Sequence, residues 1–541
     1  MKFKALFVSV AAPLILASAA HAADTSKASC EKLATSVKLA DTALKTSYVT
    51  TKDELTAAMM LSAGKTPSAA EAAALPMCRV EIVITPAPGA EIKSELWLPE
   101  SSKWNKRFLS AGIGGAAGYI DREQLIAGAA QGYATSTSDA GSHSPTSLEF
   151  TFGRNIEWRK NYTGRGVHLT AVTGKALIQA YYSAKPKASL FYGCSGGGYE
   201  GLGEVQFYPE DYDGVLAGDP PVNWLRQVIW QGRAYAISHK EPGGSVPVEK
   251  IPALSKGVIG QCDGFDGVTD GVIDDPRKCK PDFTKMLCKD ADGNECFTAP
   301  QVKTLTALYA PWTNSRSEFV YPGFTAGSET APAARIRISS IDGQSVMSPA
   351  KPGPMLWHLP ETFKPEEWMT YDFDKGVPDE ETKFAPYAHD KTDMSAFKKA
   401  GGKLILFSGW ADPNLNPQNL VNYYANVQKT MGDGDVASFS RLFMVPGLNH
   451  CSGGPGTNSL GQTMDEALGT KHDASNNILL ALDKWVTEGV APEQVVGRKY
   501  IDDKKEKGIA RTRPICAYPK VAKWDGKGNT DDAKSFSCVA P

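Results

Sequence analysis

The apolar run Ala188 to Tyr192 leads directly into Gly193-Cys194-Ser195-Gly196-Gly197-Gly198. No other junction constrains the fold of this chain so tightly. A β-rich run ending in G-x-S-x-G and opening into a glycine-rich helix predicts a nucleophile elbow. In such an elbow, glycines permit a strained strand-to-helix turn that lifts a serine above the carboxyl edge of a parallel sheet. Five residues rich in glycine would serve equally as an ordinary loop. Ser195 therefore matters only if the rest of the chain supplies its partners.

A serine hydroxyl becomes a useful nucleophile when a histidine takes its proton and a carboxylate orients that histidine. In α/β-hydrolases the three follow in the order serine, acid, histidine, each at the end of a strand. Downstream, the strand-like run Lys403 to Phe407 ends at Ser408-Gly409-Trp410-Ala411-Asp412. The run Ser440 to Val445 ends at Pro446-Gly447-Leu448-Asn449-His450. Ser195, Asp412 and His450 thus have the required order, with Asp219 (after the strand Asp213 to Ala217) as the nearest rival acid. The other histidines past the leader are His143, His168, His239, His358, His389 and His472. Each suits a surface or core role better.

The oxyanion of an acyl-transfer intermediate needs preorganised donors. Elbow geometry nominates the N–H of Gly196. The loop Gly112 to Gly118, after the strand Phe108 to Ala111, is the place for a second, at Gly114 or Gly115. A phosphate-binding reading of that loop fails because the Lys-Ser/Thr that ends a Walker motif is missing.

Lys2 and Lys4 precede the apolar run Ala5 to Ala19, and Ala20-His21-Ala22 fits a cleavage site. Residues 1–22 read as a secretory signal, too short for a comfortable membrane span, with Ala23 as the mature start. Export is expected to end in the periplasm or the medium. In an exported chain the ten cysteines favour disulfides over metal or redox chemistry. Connectivity is not readable from sequence. Spacing suggests Cys30–Cys78, Cys262–Cys279, Cys288–Cys296 and Cys516–Cys538, which leaves Cys194 for Cys451. Bridged Cα atoms lie within about 7 Å and their neighbours about 3.8 Å further on. That last bond would fasten Ser195 beside His450.

The chain of 541 residues has a net charge of −2, which gives no field favouring nucleic acid or an anionic membrane. Such a length predicts more than one domain. Residues 23 to about 75 read as helical. Arg79 to Ile84 and Ile92 to Leu98 read as an antiparallel pair at a sheet edge. Strands then alternate with helices (Arg122 to Gln131, Gly166 to Ala184), implying a mostly parallel sheet covered on both faces. Alternation stops at Val222 and resumes near Asp390, with a helix over Asn419 to Thr430 and another from about Ser475 to Glu488. The expected organisation is a hydrolase core in two parts, 23–221 and 391–541, with residues 222–390 inserted as a lid. Oligomeric state is left open.

Within the insertion, Cys262-Asp263-Gly264-Phe265-Asp266-Gly267-Val268-Thr269-Asp270-Gly271-Val272 places three aspartates among glycine turns. Spaced carboxylates suit a hard, oxygen-seeking cation, so structural Ca²⁺ is expected here, with a solvated acidic turn as the plainer alternative.

These stretches resemble the tannase/feruloyl esterase family. The resemblance rests on GCSGGG at 193–198, FYPEDYDGVLAGDPP at 207–221, CDGFDGVTDGVIDDP at 262–276, GGKLILFSGWADP at 401–413, FMVPGLNHCSGGPG at 443–456 and RTRPICAYPKVAKWDGKGNTDDAKSFSC at 511–538. The family implies an α/β-hydrolase core with a lid, and a serine and histidine each bordered by a bridged cysteine. It also implies lid Ca²⁺ held by the side chains of Asp263, Asp266 and Asp270 and the carbonyls of Val268 and Val272. Its substrates are esters of gallate, ferulate and other hydroxycinnamates, and the terephthalate monoester of ethylene glycol. This chain departs from the family in carrying Tyr199-Glu200 where an arginine usually follows the elbow glycines. Ser328 to Trp368 also matches poorly. Arg335 and Arg337 fall roughly where the terephthalate-monoester enzyme has a carboxylate-clamping arginine; Arg337 is the candidate clamp, with a solvated strand as the plainer alternative.

The reading is a serine carboxylic-ester hydrolase acting on small aromatic esters. Its rivals are a non-catalytic aromatic-ester or acid binding protein on the same scaffold, and a metal-dependent hydrolase, which would need a histidine-rich site the chain lacks.

Overall fold

A computed structural model describes residues 25–60, 66–329, 355–463 and 473–541. The signal-peptide reading, His472, Arg335 and Arg337 lie outside them.

Nine strands form the central sheet. In chain order they begin with β1 (Thr42–Val49), β2 (Met77–Ala87), β3 (Ala90–Pro99), β4 (Arg107–Ala111), β5 (Ala134–Ser138), β6 (Ala188–Cys194) and β7 (Gly214–Gly218). A two-stranded hairpin, β8 (Trp312–Thr313) and β9 (Phe319–Tyr321), stands apart, and the sheet is completed by β10 (Lys403–Gly409) and β11 (Ser440–Val445). The order across the sheet is β1-β2-β3-β5-β4-β6-β7-β10-β11. The first four are antiparallel neighbours. From β5 to β11 every pairing is parallel.

Side chains alternate across a strand, so a sheet covered on both faces must be apolar at every position. Leu404 and Leu406 of β10 enter one core with Phe191, Val215 and Leu442. Ile405 and Phe407 enter the other with Leu190, Tyr192, Leu216 and Phe443. The helices Gly166–Tyr182, Gly196–Phe207 and Pro417–Met431 cover the first face, and Ile478–Glu488 covers the second. The fold is a mostly parallel, helix-covered α/β architecture.

Two expectations need correction. Residues 42–49, read as helical, form β1; Leu44, Thr46 and Tyr48 pair with Ile82, Val80 and Cys78. Alanine-rich flanks (the helices Lys27–Ser36 and Lys52–Met60) masked an alternating run whose strand character comes from its partner. Consequently β1, and not the β2–β3 pair, forms the sheet edge. Residues after 488 fold into two further antiparallel pairs, β12 (Gln494–Tyr500) with β13 (Ile509–Cys516) and β14 (Val521–Trp524) with β15 (Phe536–Val539).

Between β7 and β10 no described strand joins the central sheet. That stretch carries the helices Trp224–Lys240, Ile251–Cys262, Ala299–Tyr309 and Phe373–Phe384. Their apolar residues (Ile229, Leu254, Leu305, Val377) form a third core that also takes in Ile113, Tyr162 and Tyr199.

Candidate active site

β6 ends at Cys194, and the next helix opens at Gly196, so the turn is made by one residue. Ser195 has φ 61° and ψ −119°, a left-handed setting that a non-glycine residue holds only under constraint. The glycines beside it make the close approach possible. A β-carbon on Gly198 would fall 2.3 Å from the Gly218 carbonyl, and one on Gly193 would fall 2.4 Å from that of Gly197. The Ser195 N–H donates to Gly218 O at 2.9 Å, tying the turn to the end of β7.

β10 and β11 are parallel neighbours, so the loops after them emerge side by side. Asp412 comes from the first and His450 from the second. Asp412 Oδ2 lies 2.8 Å from His450 Nδ1. Its Oδ1 accepts the N–H groups of Asn414 at 2.6 Å and Leu415 at 3.1 Å. The Asp412 side chain is fully buried and that of His450 is 20% exposed. A carboxylate so enclosed fixes both the ring orientation and the proton position at Nδ1, leaving Nε2 as the proton acceptor.

All five expected disulfides are present: Cys30–Cys78, Cys194–Cys451, Cys262–Cys279, Cys288–Cys296 and Cys516–Cys538. The Cα atoms of Cys194 and Cys451 are 6.0 Å apart. Ser195 and His450 are therefore covalently tethered neighbours. The remaining described histidines serve elsewhere. His389 is buried between the carbonyls of Tyr199 and Thr163, its pKa drawn down to about 4 by burial. His168 pairs with Asp211 at 2.6 Å, His358 faces Glu380 at 3.4 Å, His239 bonds the Tyr235 carbonyl and His143 packs on Trp158.

The loop at 112–118 is held from several sides. Gly112 N–H donates to Tyr192 O, Ile113 N–H to Glu200 Oε2 at 2.9 Å, Ala116 N–H to Ser147 O and Gly118 N–H to Asp139 O. Tyr162 OH donates to the Gly115 carbonyl at 2.7 Å. Among the described residues the N–H groups of Gly114 and Gly115 engage no partner. Gly196 backs directly onto Gly115, with its β-carbon position 2.8 Å from Gly115 N.

Two of these residues carry more weight than the sequence suggests. Glu200 registers in the sequence only as a departure from the family, yet it is 2% exposed. Burial pushes its carboxyl up to about 8. Asp219 is 1% exposed, and one carboxyl oxygen each of Asp219 and Asp412 and a ring nitrogen of His450 lie within 4.8 Å of one another.

The acidic loop of the insertion folds on itself. Asp263 accepts the N–H groups of Asp270 and Gly271, Asp266 accepts that of Val268, and Asp270 accepts that of Val272. Asp270 Oδ2 is also bonded by Arg511 and Arg513 of β13, at 2.7 Å each. Asp274, which sequence reading missed, joins the group; burial first and Asp266 second push its carboxyl well above the ordinary range. Asp266 and Asp274 share a side-chain hydrogen bond beside the two guanidiniums that hold Asp270. Oxygen donors of this kind are those a hard divalent cation takes.

A sequence model described as "Tannase and feruloyl esterase" matches residues 78–539. The chain belongs to that family. It is 34% identical over 502 residues to an uncharacterised esterase of Xanthomonas campestris, spanning 86% of this chain and 85% of the relative. It is 33% identical over 476 residues to the protein named "Probable feruloyl esterase B-1" of Aspergillus flavus, spanning 86% of each. The crystal structure of feruloyl esterase B from Aspergillus oryzae superposes with a TM-score of 0.81 at 26% identity, covering 95% of this chain and 99% of that one. The tannin acyl hydrolase of Aspergillus niger, at 18% identity, shares the fold with a TM-score of 0.74. As a member of the tannase and feruloyl esterase family, the chain is a carboxylic ester hydrolase of α/β-hydrolase type. Its substrates are small-molecule esters. No helix among the described residues is long and apolar enough to cross a membrane.

Proposed function

We propose that the chain hydrolyses esters of aromatic acids through a Ser195–His450–Asp412 triad. The observation that carries this reading is the His450–Asp412 pair at 2.8 Å, bolted to the strained Ser195 turn by Cys194–Cys451. Ser195 Oγ attacks the ester carbonyl while His450 Nε2 takes its proton. Asp412 steadies the resulting imidazolium without taking the proton itself. The oxyanion is held by the N–H of Gly196, at the positive end of the helix it opens, and by Gly114 or Gly115 from the facing loop. His450 then returns its proton to the departing alcohol, and water repeats the sequence on the acyl-enzyme.

Residues 222–390 act in this reading as a lid, and the ester is one of a hydroxycinnamate such as ferulate, a gallate or a terephthalate monoester, with Arg337 as the clamp for a charged acid. The name of the Aspergillus flavus relative favours the feruloyl class. Ca²⁺ in the lid would be held by Asp263, Asp266 and Asp270, with the carbonyls of Val268 and Val272 and with Asp274 beside them. It would supply local charge balance and rigidity, and no step of hydrolysis passes through it. Five disulfides support export of the chain, with cleavage after Ala22.

Acid release from methyl ferulate, methyl gallate and mono(2-hydroxyethyl) terephthalate, measured beside Ser195→Ala, tests the reading. Turnover of one ester that disappears in the variant is expected. Turnover that survives Ser195→Ala overturns the triad, and failure on all three esters by folded, calcium-loaded protein overturns the aromatic-acid assignment.

A further inference from the structure

Asp219 leaves β7 where Ser195 leaves β6 and Asp412 leaves β10, three strands that are direct neighbours. Its carboxyl lies 1% exposed, where an ionisable group is costly unless it does something specific. One oxygen, Oδ2, accepts the N–H of Cys451 at 2.7 Å, in the residue directly after His450. The other, Oδ1, accepts the N–H of Gly409 at 3.1 Å, at the end of the strand that carries Asp412. The Ser408 side chain bonds to the same carboxyl. The backbone closes the set, since Asp219 N–H donates to Phe407 O at 2.7 Å and the preceding carbonyl, of Gly218, receives the N–H of Ser195. Asp219 also holds φ 36°, and Cys451 holds φ 60°, so both ends of the contact sit in left-handed backbone.

We propose that Asp219 is a positioning residue of the hydrolytic site, whose two carboxyl oxygens keep the His450 loop and the Asp412 strand end in register with Ser195. The inference rests on the triad reading given above. A carboxyl suits the task because both of its oxygens accept; an amide of the same shape offers one acceptor and would leave one of the two N–H groups facing a donor. The titratable groups facing Asp219 among the described residues are Asp412, from the β10 loop, and His450, from the β11 loop; Cys194 and Cys451 are bridged and do not titrate. Burial first, and the charge of Asp412 second, push the Asp219 carboxyl up to about 7, while His450 pulls the other way.

Asp219→Asn is therefore expected to lower kcat by about tenfold to a hundredfold, as small misplacements of a catalytic group do. KM for the chosen aromatic ester should stay within about twofold, since no substrate contact is removed. The amide also removes a carboxyl that titrates beside His450, so the acid limb of the kcat/KM profile moves to lower pH. Ser408→Ala, a smaller change that leaves the carboxyl in place but unsupported on one side, should move both readouts in the same directions by less. It keeps the test open if Asp219→Asn fails to fold. Unchanged kcat in Asp219→Asn overturns the proposal. So does a loss of activity with an unmoved acid limb and a matching fall in Tm, which would mark Asp219 as purely structural. If Asp219→Asn yields no folded protein, unmoved kcat and acid limb in Ser408→Ala overturn it. Ser195→Ala is run alongside: turnover that survives it faults the triad and not the role of Asp219.

Discussion

Glu200 allows a prediction of unusual sign. It lies on the helix that follows Ser195, 2% exposed, and its Oε2 accepts the N–H of Ile113 at 2.9 Å. Burial holds its carboxyl neutral up to about 8, against an ordinary value of 4.5. The folded protein therefore keeps a proton that the unfolded chain has already released. Stability from this group is fully present below pH 4.5 and drains away as pH rises toward 8, at about 1.4 kcal/mol per pH unit, or about 5 kcal/mol in all. Glutamine has nearly the same shape, still accepts from Ile113 and never ionises. Glu200→Gln should match the wild type at pH 5 and exceed it at pH 8.5. Unfolding entropy near 2.1 cal/mol/K per residue converts the difference to a Tm gain of about 5 °C for a chain of this size. Thermal scans at one fixed rate, in calcium-saturated buffers from pH 5 to 9, measure it. A variant that is less stable than the wild type by the same amount at every pH refutes the reasoning, because it would mean that the carboxyl is ionised throughout.

Other perturbations separate the parts of the site. Asp412→Asn should cut kcat by about 10³–10⁴-fold with little change in KM, because the histidine loses its tautomer and its support; steady-state kinetics on the preferred ester will show it. Tyr162→Phe removes the hydroxyl that holds the Gly115 carbonyl, at about 1 kcal/mol, and should lower kcat severalfold while leaving KM alone. Replacing Cys194 and Cys451 together by serine opens a loop of 257 positions, which the chain-entropy model values at about 5 kcal/mol; denaturant unfolding should show the loss and activity should fall with it. Chelation of the wild type should lower Tm at chelator concentrations that still leave turnover at ambient temperature, as expected for a cation with a structural role only.

What the sequence made legible follows from the kind of signal each part carries. β10 and β11 are buried on both faces, so Leu404-Ile405-Leu406-Phe407 and Leu442-Phe443-Met444-Val445 stand out as continuous apolar runs, and the residues that end them could be named in advance. β1 has no such run. Its Thr42-Ala43-Leu44-Lys45-Thr46-Ser47 becomes a strand because β2 offers it a ladder, and that partnership is invisible locally. The closeness of Ser195 and His450 was legible because bridged cysteines border both. Glu200 was legible only as an oddity, since a glutamate in a helix says nothing about burial. Asp219 could be seen as a rival acid but not as a clamp, because its partners are backbone N–H groups far along the chain. Asp274 was hidden for a related reason: its closeness to Asp266 comes from a loop that doubles back on itself.

The sheet order also gives the Cys194–Cys451 bond a direction. Neighbouring strands lie about 4.8 Å apart, and β7 and β10 separate β6 from β11. At the level of the strands, Ser195 and His450 therefore begin three spacings apart, about 14 Å. Their flanking cysteines end 6.0 Å apart, so the loop after β11 must reach back across two strand ends. Those two ends carry the buried acids. Asp412 meets the returning loop at the His450 ring and Asp219 meets it at the next N–H, with the bridge as the last fixed point beside the nucleophile. A loop spanning that distance on backbone bonds alone would have many ways to sit. Fixed at one side by a carboxylate, in the middle by a carboxyl clamp and at its tip by a covalent bond, it has essentially one, and that one holds His450 next to the bridge that borders Ser195.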